Sequence, residues 1–157
     1  GGKGLAVAGI VLNVLQLASL PILAAIAVPN FFAARVSANE GSALSTVSKI
    51  AAAQTQHMAM ADTKHCAELS ALGQRQMIDP VSASGVKNGY LFTMVRMPEG
   101  CEIYATPQNA KGMAASGRRS FYVSTQEGVL RGAAKDGKMA SADDPELEGG
   151  RSQVARQ

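Results

Sequence analysis

The sequence predicts an α+β fold in which one long N-terminal helix is followed by four short strands. Three observations predict it. Residues 4–34 contain no charged side chain. Residues 30–60 are rich in helix formers and carry an apolar stripe at helical spacing. Residues 89–132 break into short runs with β-branched and aromatic side chains, separated by turns that contain glycine.

A chain of 157 residues has room for one ordinary domain and a short appendage, but not for two sizeable domains. Its mean hydropathy of +0.04 is high for a small soluble domain, and only 17% of its residues are charged. The apolar excess is concentrated at the N-terminus. This excludes a plain cytosolic globule, a disordered charged tail and a large multi-domain enzyme. The net charge of +3, from 15 basic and 12 acidic residues, is too balanced to make nucleic acid the main partner.

The first element is the uncharged run. Residues 5–28 read LAVAGIVLNVLQLASLPILAAIAV, 24 residues with only Asn13, Gln16 and Ser19 clearly polar. A bilayer core of roughly 30 Å needs about 20 helical residues, so this run predicts a membrane-inserted helix over residues 1–30. One rival is a cleaved secretory signal, whose apolar region is normally shorter. The other is a buried core helix, which would outsize the core this chain can build. Lys3 and Arg35 flank the run, so the positive-inside rule sets no orientation. The chain opens on Gly rather than Met, and the reading expects sequence upstream. Pro21 and Pro29 lack a backbone donor and crowd the preceding turn, which predicts one or two kinks or an unwound stretch. In lipid, the freed carbonyls need neighbouring helices or side chains.

One face of this run is the candidate helix–helix assembly surface. Asn13 and Gln16 lie three residues apart and share it. Pro21 frees a carbonyl one turn earlier, at Leu17, beside the same face. Ala24 and Ala27 are small enough for close backbone approach, and Pro29 ends the apolar run.

The helix is expected to continue to about Met60 as an amphipathic segment. Val36, Ala43, Val47, Ile50 and Gln54 form its stripe, with Phe32 and Leu44 beside it. Arg35, Ser42, Ser45, Lys49 and Gln56 form the opposite face. Glu40, the single acid here, either pairs with Arg35 of a neighbouring helix or is a solvated surface charge.

Beyond the helix, residues 66–72 suggest a short helix ended by Gly73, and Asp79-Pro80 and Ser84-Gly85 are turn signals. Four strands are expected at residues 89–97, 101–106, 120–125 and 128–132. Pro98-Glu99-Gly100 separates the first two, and Gln126-Glu127-Gly128 makes a tight turn between the last two. The loop at residues 107–119, with Gly112 and Gly117, is expected to be exposed. Residues 135–157 read as an irregular or disordered tail, disordered from Gly149 onward.

Residues 24–36, AAIAVPNFFAARV, resemble the stretch where the membrane helix of type IV pilins and type II secretion pseudopilins leaves the bilayer. SANEGSALSTVSKIAAAQTQH is similar to the amphipathic half of that helix. MIDP, SGVKNGYLFTM and GRRSFYVSTQEGVLRG are similar, in that order, to the globular heads of short bacterial pilin-like proteins. The resemblance covers roughly residues 20–145. It implies a pilin-like fold, with the second half of the helix laid on a four-stranded antiparallel sheet. The expected division is a membrane or filament-core helix at 1–30, a periplasmic or extracellular head at 31–134, and the tail at 135–157.

The resemblance also implies a function. The chain would be a subunit of a pilus-like or pseudopilus filament, placed in a bacterial inner membrane before assembly and in a periplasmic or extracellular filament afterwards. Its partners would be copies of itself and the inner-membrane pilus or secretion assembly machinery. The alternative is a minor or non-assembling anchored protein that primes a fibre or presents a binding surface.

The sequence departs from the family at its start. Members are cut after a Gly and carry Glu at the fifth mature position. Aligned on Pro29, that Glu falls on Leu12, and the residue before the cut falls on Val7. Lys3-Gly4-Leu5 resembles a basic–Gly–apolar processing site, but a cut between Gly4 and Leu5 puts Gly9 at the fifth position. The opening GGKGLAVAGIVLNVL resembles a different family of short Gly-rich bacterial membrane segments.

A pilin-like head lies outside the cytoplasm, where disulfides persist, so the resemblance implies a bridge between Cys66 and Cys101; two buried free thiols are the alternative. His57, His65 and Cys66 lack the spacing of a closed zinc site. No G-x-S-x-G, G-K-[ST] or H-E-x-x-H motif occurs, so no enzyme activity, metal or cofactor is expected. Lys111, Arg118 and Arg119 cluster in or beside the long head loop. They read either as a solvated loop or as a weak contact for an anionic surface.

Overall fold

The computed structural model describes residues 2–147. In the first part of the long helix, side chains are described at Gly2, Gly4, Val7, Gly9, Asn13 and Ala25 and from Ala27 onward. The fold is α+β. Helix α1 spans Gly2–Met60, and two short helices follow, α2 at Leu69–Gln74 and α3 at Pro80–Ala83. The strands are β1 Val86–Lys87, β2 Tyr90–Arg96, β3 Cys101–Pro107, β4 Arg119–Ser124 and β5 Leu130–Ala134. By internal contacts the chain divides into two units, Gly1–Arg35 and Val36–Gln157.

The described part of the first unit is helix alone. The helical backbone runs unbroken through Pro21 and Pro29, so the unwound stretch expected there does not form. A proline removes one hydrogen bond from the ladder, and the bonds on either side hold the turn. Val7, Val28 and Phe31 are exposed, and the Phe31 and Phe32 rings meet edge-on at 5.9 Å. Among the described residues no helix is long and apolar enough to cross a membrane. The expected membrane half falls largely on positions whose side chains lie outside the described residues.

In the second unit the amphipathic reading of α1 holds. Ala43, Val47, Ile50 and Gln54 are buried, while Ser45, Lys49 and Gln56 are exposed. The stripe packs into one core with Leu72, Ile78, Tyr90, Phe92, Ile103, Ala105, Phe121, Val123 and Leu130. Gln54 sits in that stripe without exposure because its amide is spent on the main chain. It donates to Ala67 O at 2.6 Å and accepts from Ala67 N at 2.9 Å. A buried amide satisfied at both ends avoids the desolvation cost of an orphan, about 1–3 kcal/mol.

The sheet has five antiparallel strands in the order β1-β2-β3-β4-β5, one more than expected. The extra strand, β1, is only two residues long, below the length at which alternation can be read. It joins β2 through Asn88-Gly89, both at positive φ (50° and 74°), the two-residue turn that Asn-Gly favours.

The two sheet edges differ. Gly85 O accepts from Phe92 N, and beyond that point the outer edge of β2 has no strand beside it among the described residues. On the far edge, Gly132 N donates to Pro145 O and Leu147 N to Leu130 O. The tail is therefore irregular but pinned to β5 as far as Leu147. The expected disorder from Gly149 lies outside the described residues.

The short helices refine two expectations. Gly73 does not end α2, which runs on to Gln74. A Cβ at Gly73 would sit 2.4 Å from Ala83 Cβ, so the glycine lets α2 and α3 touch. Asp79-Pro80 is a helix start rather than a plain turn. Asp79 caps α3, accepting from Ser82 N at 3.0 Å and Ser82 Oγ at 2.6 Å, with Lys87 Nζ at 3.0 Å. The Ser82 hydroxyl, with its amide and Lys87, holds the Asp79 carboxyl well below the usual carboxylate range, against the opposing effect of burial.

A carboxyl with a depressed folded pKa stabilises the fold fully above its unfolded value of 3.8 and loses that contribution as pH falls below it. Asp79→Ala should therefore cost about 1 kcal/mol at neutral pH and flatten the acid limb of stability below roughly pH 4. Urea midpoints measured across pH check this. An unchanged acid limb would contradict it.

Cys66 and Cys101 form a disulfide that joins the segment after α1 to the start of β3, with Cα atoms 6.1 Å apart. His65 forms a parallel backbone bridge with Gly100, in which Gly100 N donates to Lys64 O at 2.8 Å, so the junction is held by backbone pairing beside the disulfide. Closing a loop of 35 residues restricts the unfolded chain by about 3–4 kcal/mol. Intact mass should rise by two hydrogens on reduction, and the melting temperature should fall by roughly 10 °C or more. Alkylation of both thiols in unreduced protein would overturn the bridge.

Candidate functional site

The chemistry-bearing residues gather at one end of the second unit, where its helix begins. Asn39 Nδ2 donates to Ser116 O at 2.9 Å. Glu40 Oε1 accepts from Arg118 N at 2.8 Å and Arg119 N at 3.2 Å. Asn88 Nδ2 donates to Ser42 Oγ at 2.8 Å. The start of this part of α1 is thereby tied to the loop at residues 107–119 and to the β1–β2 turn. Glu40 is thus no bare surface charge: its carboxylate fixes the main chain of the paired arginines.

The same loop is only partly exposed, contrary to expectation. Ala115, Ser116 and Gly117 are buried, because Ser116 closes on Asn109 and Gly117 packs against Tyr90. Its tip stays out, with Met113 66% exposed. Lys111 Nζ reaches Asp136 Oδ2 at 3.2 Å, and Ser120 Oγ donates to Lys138 O at 2.6 Å. The turn after β5 therefore lies beside the loop. Together they place Lys111, Arg118, Arg119, Lys135 and Lys138 at one end of the sheet. Lys135 is paired with Asp144 at 2.6 Å; Arg118, Arg119 and Lys138 make no side-chain ion pair among the described residues.

Burial raises the Asp144 carboxyl, but Lys135 and the Ser141 amide and hydroxyl outweigh it and hold the group below its ordinary value. On the sheet face away from the helix, Glu102 accepts from Tyr104 Oη at 2.7 Å and Tyr122 Oη at 2.9 Å. Burial, then Glu102, pushes the Tyr122 phenol up to about 12 and raises Tyr104 as well. Both phenols stay protonated at neutral pH, so this cluster braces β3 against β4.

The remaining sequence candidates are scattered. His57 Nδ1 meets Arg75 Nη1 at 2.9 Å, Cys66 is in the disulfide, and His65 is exposed. No metal-holding group of three His, Cys, Asp or Glu occurs among the described residues. A groove of about 870 Å³ runs between α1 and the α2–α3 segment, lined by Lys49, Ala53, Gln56, Met77 and Asp79 among others. Its one carboxylate, Asp79, is already engaged by Ser82 and Lys87.

Of the assembly face, Asn13, Ala27 and Pro29 are exposed, while the side chains of Gln16, Pro21 and Ala24 lie outside the described residues. At the suggested processing site, Gly4 is exposed and the Leu5 side chain lies outside the described residues.

Sequence reasoning missed the anchoring roles of Glu40, Gln54 and Asp79. Gln54 in an apolar stripe and Asp79 directly before Pro80 were the readable signals. The partner of Glu40, 78 residues away, left none. Comparison with family models, curated proteins and solved structures finds no match to this chain.

Proposed function

We propose that this chain is a structural subunit of a type IV pilus-like or pseudopilus filament that assembles through its N-terminal apolar helix. The observation that carries the reading is the division of α1. Its residues 2–35 are helix alone, uncharged from residue 4 to residue 34, while its later residues are built into a disulfide-bonded α+β head. An apolar helix without a core of its own needs lipid or other helices around it. Before assembly the subunit resides in a bacterial inner membrane, and the head faces an oxidising compartment where the Cys66–Cys101 bridge persists. Copies of the chain and an assembly machinery are its partners, and no catalytic step belongs to this reading.

Leu12 stands where filament-forming members carry Glu, and this favours a second reading. In that reading the protein is a minor or non-assembling anchored subunit that primes a fibre or presents the head.

Ala24→Phe tests the first reading. A bulky ring on the Asn13–Gln16–Ala24 face should abolish fibres in electron micrographs of sheared material while leaving membrane insertion intact. Fibres of normal yield from the mutant would refute assembly through this face. Absence of fibres from the parent protein, with insertion intact, would leave the second reading.

A further inference from the structure

We propose that the basic end of the head is a docking surface for an anionic bilayer, and this rests on the membrane reading above. Three observations converge on that end. The first is charge. Among the described residues Arg118, Arg119 and Lys138 are exposed without ion pairs, and Lys111 beside them is exposed and paired with Asp136.

The second is apolar exposure at the same place. Met113 follows Lys111 at the tip of one loop and is 66% exposed, and Met139 follows Lys138 in the adjacent turn and is 44% exposed. Each loop thus offers a cation for a lipid phosphate and a flexible apolar side chain for the acyl boundary. This pairing suits a bilayer interface better than a rigid polyanion.

The third is position. Asn39 and Glu40, near the start of the second unit, hold Ser116, Arg118 and Arg119. The surface therefore lies at the end of the head that holds its first residues. Glu40 accepts from the amides of Arg118 and Arg119 and forms no ion pair with their side chains among the described residues, and both arginines are exposed. The other described acids near this end are engaged, Asp136 with Lys111, Asp144 with Lys135, and Glu146, which lines one pocket with Arg119, with Arg131.

The test uses the full chain in vesicles of phosphatidylcholine alone, or of phosphatidylcholine with one-third phosphatidylglycerol, each containing a headgroup spin-labelled lipid. The Met113 and Met139 methyl signals should broaden in the anionic vesicles and stay sharp in the neutral ones. Each cation near such a surface strengthens contact several-fold, so Arg118→Ser with Arg119→Ser should weaken it on the order of tenfold. The substituted positions are exposed, and an unchanged methyl spectrum elsewhere reports an intact head.

Sharp methyl signals from a chain that has inserted into anionic vesicles would overturn the docking surface alone. A chain that fails to insert at all would overturn the membrane reading. Sharp signals in lipid together with arginine-dependent binding of a duplex oligonucleotide would assign the surface to nucleic acid and overturn the proposal.

Discussion

Removing residues 1–33 should turn the protein from one that sediments with membranes or filaments into a soluble monomer. The removed piece carries the whole uncharged run, whose aliphatic residues each favour insertion by about 0.3–0.6 kcal/mol at the bilayer centre. Summed along the helix this is on the order of 5 kcal/mol, enough to make partition all or none. What remains keeps every member of the buried core cluster, from Ala43 to Leu130, together with the disulfide and the sheet. Pelleting after a high-salt wash is the measurement, because salt screens any attraction between the basic end and lipid headgroups. Truncated protein that still pelleted with washed membranes would show that the anchor has been misplaced.

Gly117→Ala should be strongly destabilising. A Cβ there would stand 1.8 Å from Tyr90 Oη, 2.5 Å from its Cζ and 2.7 Å from its Cε2. Tyr90 cannot swing away. It has no exposed surface, its hydroxyl donates to Arg119 O at 2.8 Å, and its ring stacks on Phe121. Overpacking at such a site costs about 3 kcal/mol, which for a domain of this size lowers the melting temperature by roughly 10 °C. Gly41→Ala is the control. Its Cβ would meet nothing within 4 Å, and alanine in an exposed helix position stabilises by up to about 1 kcal/mol. Equal melting temperatures for the two variants would show that Tyr90 is not locked.

The parts of the fold that were legible in the sequence are those governed by local pattern. The Ala43–Val47–Ile50–Gln54 stripe reads directly because helical spacing repeats it, and all four are buried. The long strands lie within a few residues of their alternating runs, and Asn88-Gly89 explains why one more strand precedes them. What stayed illegible depends on residues far apart in the chain. Glu40 meets Arg118 and Arg119 across 78 and 79 residues, and Gly117 meets Tyr90 across the sheet. Neither pairing has a local signature, so the loop carrying Arg118 read as exposed although Ala115, Ser116 and Gly117 are packed. The basic cluster was visible as residues, but not as an end of the head shared with Lys138, because that lysine arrives from the turn after β5.

The order of elements along the chain also orders the events of folding. Every strand pairs with its neighbour in sequence, so even the longest connection, residues 108–118 between β3 and β4, is local and the sheet can zip from β1 to β5 as it emerges. The helix has the opposite schedule. Its apolar stripe is synthesised first, yet its cover includes Phe121, Val123 and Leu130, roughly 70 residues later. Until that segment has emerged, the stripe has no shelter within its own head, and the clasp between Gln54 and Ala67 is the first native contact available to it. A chain whose β4 is not yet complete therefore leaves the apolar stripe uncovered directly after the uncharged run, and a holding chaperone would find its binding window there.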